Sequence, residues 1–326
     1  MPPVVLAVGE VADGTATRLA TEVATLARQL ADAAGGTALA LVVDPDPGES
    51  AEALAAFVPK VVAVTAPALA NETAAPRIAA EVGALAGSDG VTHVVLGATA
   101  DGRDIAGILA ATLGWGVLAN ASAASWDGSA PVVEASVLGA KAITRSTLTG
   151  DHGIVTVRPN AVPASPAPGA GTVEQRQPSG EPATPPVIVL DRVAEAGAEA
   201  SLEEARVVVV GGRGVGSPEG FQIVEDLAKE LGGVVGATRA SVDAGWIPYA
   251  RQIGQTGKVV KPSLYLGLGV SGAMQHRVGM QSAESIVVVN RDPDAPIAEV
   301  ADLFVVGDLF EVGPALLAEL RTRRGA

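Results

Sequence analysis

At 326 residues, 48% of them hydrophobic, the chain is long enough for two cores of ordinary size. A net charge of −14 excludes a phosphate-backbone binder. Zero cysteines exclude disulfides, thiolate nucleophiles and cysteine-held Fe–S clusters, and three scattered histidines (His93, His152, His276) make metal chemistry a poor expectation. The amino terminus lacks a basic start followed by a long apolar run, and no window reaches about 18 uninterrupted apolar residues. The reading is a soluble, cytoplasmic protein with no membrane insertion and no nucleic-acid partner.

In chain order, short β-branched runs alternate with Ala-rich helical stretches. They are Val4–Val8 and 15–34; Thr37–Val43 and 49–57; Val61–Val64 and 71–86; Val91–Leu96 and 101–113. That order predicts βαβ units and a parallel sheet covered by helices, with Pro131–Leu138 and Ile154–Val157 as its last strands. Residues 1–158 form this N-terminal α/β domain. Residues 159–186 hold eight of the 22 prolines and almost no large apolar residue, the composition of an extended linker.

Alternation resumes in residues 187–326. Strands are expected at Val187–Leu190, Val207–Val210, Val234–Ala237, Ser263–Leu268, Ile286–Val289 and Leu303–Val306, and helices at 218–231 and 312–323. The first of these helices has readable ends: Ser217 as cap, Pro218 at the first position, Phe221, Val224, Leu227 and Leu231 on one face, and Gly232-Gly233 as the stop. The fold class is therefore α/β, two doubly wound domains with mostly parallel sheets joined by a Pro-rich linker.

In such sheets ligands bind beyond the carboxyl ends of the strands. Five successive strand ends of the second domain carry glycine or hydrogen-bonding side chains: Gly211–Gly214, Thr238-Arg239, Gly269–Gly272, Asn290 and Gly307-Asp308. Gly212-Arg213-Gly214-Val215-Gly216 lacks the G-x-G-x-x-G spacing, and Thr238-Arg239 stands where a nicotinamide dinucleotide site needs an acid. Arg213 and Arg239 suit pyrophosphate oxygens or an electron-rich ring. Lys and Arg number 9 against 6 Asp and Glu in residues 206–291, but 8 against 16 in residues 1–158, which also points to an anionic ligand in the second half. The turn Gly269–Ala273 is expected to begin a helix and form a phosphate seat, with Ser271 as an additional donor and Gln275 and His276 within reach of the same ligand.

The run Pro262 to Met280, with Leu264, Tyr265, Gly269-Val270-Ser271-Gly272-Ala273, Gln275-His276 and Gly279 at fixed spacing, resembles the signature of electron-transfer flavoprotein alpha subunits. Val208–Gly214, Val235–Gly245, Gly254–Lys258, Asn290–Ile297 and Asp308–Phe310 agree in order. Val95–Asp104 carries a looser resemblance in the first domain. Departures are Gly267 for a usual alanine, no proline in the helix at 105–113, and Asn120-Ala121-Ser122 where a Ser-Asp pair is common.

The resemblance implies an FAD-binding subunit whose cofactor residues are Arg213, Thr238, Arg239, Ile253, Gly254, Gln255, Thr256, Ser271, Gly272, Ala273, Met274, Gln275, His276, Asn290, Asp308 and Leu309. In that reading His276 stands near the flavin C2 oxygen, Arg239 over the ring and Thr256 at N5. Ser271 holds the pyrophosphate, and Asn290 and Asp308 address the adenosine end. It also implies a heterodimer with a beta subunit, which packs on the first domain and carries AMP. The implied role is electron carrier, not enzyme. Electrons are taken from flavin dehydrogenases, acyl-CoA dehydrogenases of fatty acid beta-oxidation foremost, and passed singly to a membrane electron-transfer flavoprotein quinone oxidoreductase. Two alternatives are a bifurcating relative that uses NADH and a non-redox nucleotide-binding regulator.

Overall fold

The computed structural model describes residues 2–137, 142–179, 181–191, 202–203 and 205–324. The chain divides into two compact units, Met1–Val193 and Ala194–Ala326.

The first unit runs β1 (Val4–Gly9), a two-residue ribbon β2 (Val11–Ala12) and β3 (Thr15–Ala16), α1 (Arg18–Ala33), β4 (Thr37–Asp44), α2 (Gly48–Leu54), β5 (Lys60–Thr65), α3 (Ala74–Ser88), β6 (His93–Gly97) and α4 (Ala100–Leu113). There follow β7 (Gly116–Ala121), β8 (Ala123–Asp127), β9 (Ala130–Val137), β10 (Ala142–Thr147), β11 (Gly153–Val157) and β12 (Thr172–Arg176). Its seven-stranded sheet has the order β12-β5-β4-β1-β6-β11-β7, and every pair in it is parallel.

Alternation along β1 explains the two-sided covering. Val5 and Ala7 pack with Val23, Leu26 and Leu30 of α1, while Leu6 and Val8 pack with Ile78 and Val82 of α3 and Leu109 of α4. A strand buried on both faces reads as a continuous apolar run, and β1, β4 and β6 do so.

The segment expected to complete the parallel sheet at Pro131–Leu138 goes elsewhere. β9 joins a separate antiparallel sheet of order β10-β9-β8, and Leu138 lies outside the described residues. The tight turn at Gly128, with φ +65°, lets β8 pair back on β9, and hairpin pairing is local where a parallel partner requires a crossover.

The Pro-rich segment is also more structured than a free connection. Asn160 N donates to the buried Glu22 carboxylate at 2.7 Å, Ser165 O accepts from Arg28 at 2.8 Å, and Ser179 gives its N–H and its hydroxyl to the buried Glu81. Between these anchors β12 adds to the edge of the sheet beside β5. Val187–Leu190, expected to open the second sheet, forms no strand there; Val187 and Val189 bond instead to Thr73 and Asn71 of the first unit.

The second unit contains β13 (Val207–Gly211), α5 (Gln222–Leu231), β14 (Val234–Ala237), α6 (Arg239–Asp243), β15 (Leu264–Leu268), α7 (Met274–Arg277), β16 (Ile286–Asn290), β17 (Leu303–Val306) and α8 (Leu309–Arg324). Its sheet is parallel throughout, in the order β14-β13-β15-β16-β17. Val209, Leu266 and Leu268 face α5 and α8, and Val208, Val210 and Tyr265 face the other side. The helix expected from Pro218 begins at Gln222: Gly220 N donates to Ser217 Oγ at 3.2 Å in the short turn Glu219–Phe221 that leads into α5, whose own first turn has no side-chain cap. Gly232 closes the helix at φ +65°, as its sequence predicts.

Candidate functional site

The strand order of the second sheet reverses between β13 and β15, and loops that leave a reversal in opposite directions open a crevice there. A cleft of about 680 Å³ lies at that point, in the volume range of ligand sites. It is lined by the loops after β13, β14, β15 and β16 and by the segment Ile253–Thr256. Thirteen of the expected residues meet on its walls: Arg213, Thr238, Arg239, Ile253, Gly254, Gln255, Thr256, Ser271, Gly272, Ala273, Gln275, His276 and Asn290.

Met274, Asp308 and Leu309 are not on the walls. Leu309 is buried in the core beneath Gly269, and Asp308 caps α8 by accepting from Phe310 N at 2.9 Å while pairing with Arg291. Gly214 and Gly269, in strand-end loops that the sequence marks, also line the cleft, and Ala240, Asp243, Asp292 and Ala295 line it without having been expected. For Asp243 a signal existed, because it stands four residues beyond Arg239 on one helix, and the two pair at 3.2 Å.

The anion-accepting corner is built from backbone. The N–H groups of Ser271, Gly272 and Ala273 donate to no acceptor among the described residues, and all three residues line the cleft. The helix expected to follow is a single turn, so these free N–H groups, not a helix end, carry the partial positive charge. Gly272 sits at φ +81°, and a Cβ on it would stand 2.5 Å from Ile297 N. Asn290 fixes the turn from below: its Nδ2 donates to Val270 O at 2.8 Å, and its Oδ1 accepts from Asp292 N at 3.1 Å. The guanidinium groups of Arg213 and Arg239 add two cations at the rim, and both residues are exposed.

His276 presents its ring to the cleft but keeps both nitrogens for the protein. Nδ1 lies 3.0 Å from Ile253 O, and Nε2 lies 2.8 Å from the Tyr265 hydroxyl. A carbonyl only accepts, so Nδ1 carries the proton, and Nε2 accepts from Tyr265. Burial pushes the imidazole pKa down to about 4. The expectation of a ligand-facing His276 donor therefore does not match this arrangement: the residue contributes a neutral ring wall.

The two threonines differ in polarity. Ser241 Oγ donates to Gly211 O at 3.2 Å, which leaves Thr238 Oγ1 as the donor in its own 3.2 Å contact with Ser241. Thr256 instead receives a bond on its hydroxyl from the buried Gln252. No group of three or more metal-ligating side chains occurs among the described residues.

Comparison with known proteins follows the same division. Residues 5–181 match the electron transfer flavoprotein domain, and residues 201–281, which hold most of the cleft, match the electron transfer flavoprotein FAD-binding domain. The chain belongs to the electron transfer flavoprotein family. Electron transfer flavoprotein subunit alpha of Mycobacterium tuberculosis is 41% identical over 325 residues, 98% of this chain and 99% of the relative. The protein of the same name from Mycobacterium leprae is 48% identical over 250 residues, 74% of this chain and 75% of the relative. That of Paracoccus denitrificans is 37% identical over 321 residues, 97% and 99% of the two chains. As a flavoprotein alpha subunit, the chain has FAD as its cofactor. The cleft suits it: a glycine cradle with free N–H groups and two cations fits a pyrophosphate, and the polar loop Gly254–Thr256 fits a ring with several acceptors. No helix among the described residues is long and apolar enough to cross a membrane.

Proposed function

We propose that this chain pairs with a beta subunit and carries electrons from flavin dehydrogenases, acyl-CoA dehydrogenases among them, to a membrane quinone oxidoreductase. The observation that carries the reading is the cleft at the β13/β15 reversal, where Arg213, Arg239 and the three free N–H groups of Ser271–Ala273 converge within the FAD-binding family match. FAD supplies the redox chemistry when bound, and the protein orients it and tunes its electrostatics.

Each group of residues has a separate task. The 271–273 N–H groups and Arg213 hold the pyrophosphate, Arg239 sets a positive charge beside the ring, and Thr256 addresses the ring edge. His276 stays neutral and excludes water. Asn290 acts on the ligand through the turn it fastens, and Leu309 acts through the packing beneath Gly269. Asp308 and Met274 stand outside the cleft walls and have no direct task in this scheme. The chain itself transforms no substrate, and the beta subunit, with AMP, closes the heterodimer against the first unit.

The test is co-purification with the cognate beta subunit, followed by FAD quantitation and an absorption spectrum. One FAD per heterodimer and reduction by an acyl-CoA dehydrogenase with its substrate are expected. A colourless heterodimer that takes up no FAD overturns the reading. Two FADs per heterodimer with reduction by NADH would assign it to a bifurcating relative.

A further inference from the structure

Gln252 does not line the cleft, yet it is bonded to Thr256, which does. It is 3% exposed, and its side-chain nitrogen stands 3.1 Å from Thr256 O and 3.0 Å from Thr256 Oγ1. The carbonyl oxygen only accepts, so the amide atom facing it is the nitrogen, and this settles the orientation of the amide. Its two protons serve the two Thr256 oxygens. Thr256 Oγ1 is thereby an acceptor toward the protein, and the only proton of its hydroxyl donates to no acceptor among the described residues. The segment has little freedom to escape this arrangement: Tyr249 Oη donates to Thr256 O at 2.5 Å, Gln255 N bonds to Gln275 O at 2.8 Å, and Lys258 N bonds to Gln252 O at 2.7 Å. Thr238, whose proton is spent on Ser241, shows that the cleft does not impose this polarity on every hydroxyl.

We propose that Gln252 is a positioning residue that, by donating to the Thr256 oxygen, keeps the hydroxyl proton from being spent on the protein and leaves it free to be donated toward the ring of the bound cofactor. The inference rests on the FAD reading above. An accepting atom of the isoalloxazine that faces Thr256 then meets a hydroxyl proton that the protein does not compete for.

The test uses the heterodimer loaded with oxidised FAD carrying 13C and 15N in its ring. Thr256→Val removes the donor and moves one ring resonance toward its value without a hydrogen bond; Thr256→Ser restores it. Gln252→Met is expected to reproduce the Thr256→Val displacement, and the double variant to add nothing further. A Gln252→Met spectrum that matches wild type overturns the proposal, as does a Gln252→Met displacement that persists in the Thr256→Val background, because Gln252 then acts on the loop and not on the hydroxyl. Should Gln252→Met fail to fold, Gln252→Glu serves: its carboxylate takes the Thr256 proton, the same displacement is expected, and an unchanged resonance overturns the proposal. Failure of the wild-type heterodimer to take up FAD is seen before any variant is made, and it overturns the FAD reading and this inference with it.

Discussion

The Tyr265 hydroxyl donates to Nε2 of His276 across 2.8 Å, joining a strand of the core to a wall of the cleft. Tyr265 is fully buried, so the bond is shielded from water, and burial raises the phenol pKa far above its ordinary value. Tyr265→Phe leaves Nε2 without a donor. The expected cost is about 1–3 kcal/mol, the penalty for a buried unpaired acceptor. Urea unfolding of the heterodimer measures it, and the 15N spectrum of His276 reports whether the Nδ1–H form survives.

Both buried histidines make stability depend on pH in a defined window. Burial lowers His93 and His276 to about 4 in the fold, below the ordinary value of 6.5. Between those values the unfolded chain binds protons that the folded chain refuses, so stability is complete above about 6.5 and falls as pH drops toward about 4. His93→Asn in the first unit is expected to flatten that slope, as read from thermal unfolding at pH 7, 6 and 5.

A second acid sensitivity lies at the sheet edge. Arg176 donates to Asp89 at 2.9 and 3.1 Å and to Glu174 at 2.6 Å, while Lys60 pairs with both carboxylates. Hydrogen bonds from Arg176 hold Asp89 well below the usual carboxylate range and lower Glu174 to about 2. Depressed carboxylates stabilise the fold above their unfolded values near 4, and the gain is lost as pH falls further. Hydrogen exchange of β12 is expected to speed up below about pH 4 before that of the central strands.

Glu81→Gln tests the anchoring of the Pro-rich segment. The buried carboxylate accepts from Ser179 Oγ at 2.6 Å and from Ser179 N at 3.0 Å. Replacing charge-assisted bonds by neutral ones is expected to cost about 1–2 kcal/mol. Limited proteolysis is the measurement, with faster cleavage between residues 170 and 186.

Gly272→Ala tests the cradle. A left-handed backbone at φ +81° costs a non-glycine residue about 1–2 kcal/mol, and the new Cβ would collide with Ile297 backbone, which cannot move aside as a flexible side chain would. FAD affinity is expected to fall at least about tenfold. Retained affinity with an unchanged melting temperature would remove Gly272 from the site. Arg213→Gln should weaken FAD binding less at high salt than at low salt, since an exposed guanidinium is screened.

Apolar periodicity in the sequence determined the α/β class, the central strands of both sheets and helices α1 to α5, because burial on both faces writes itself into β1, β4, β6 and β13 as nearly unbroken apolar runs. Glycine and polar residues after successive strands also marked the loops of the cleft, since ligand-binding loops lie at the carboxyl ends of parallel strands, while the order reversal between β13 and β15 that opens the crevice was set by the tertiary structure. Tertiary structure decided the rest. It assigned β9 to an antiparallel hairpin sheet, returned the Pro-rich segment to the first unit through Glu22 and Glu81, and set Asp308 and Leu309 outside the cleft. No local pattern encodes the return of the Pro-rich segment, because Glu22 and Glu81 lie far away in the chain, whereas the β9 hairpin and the Asp308 cap are local choices that apolar alternation by itself does not distinguish. His276 and Thr256 are a separate case. Their presence was legible, but the direction of their protons is fixed by Tyr265 and Gln252, two buried side chains whose roles exist only once the sheet and the loop are packed together.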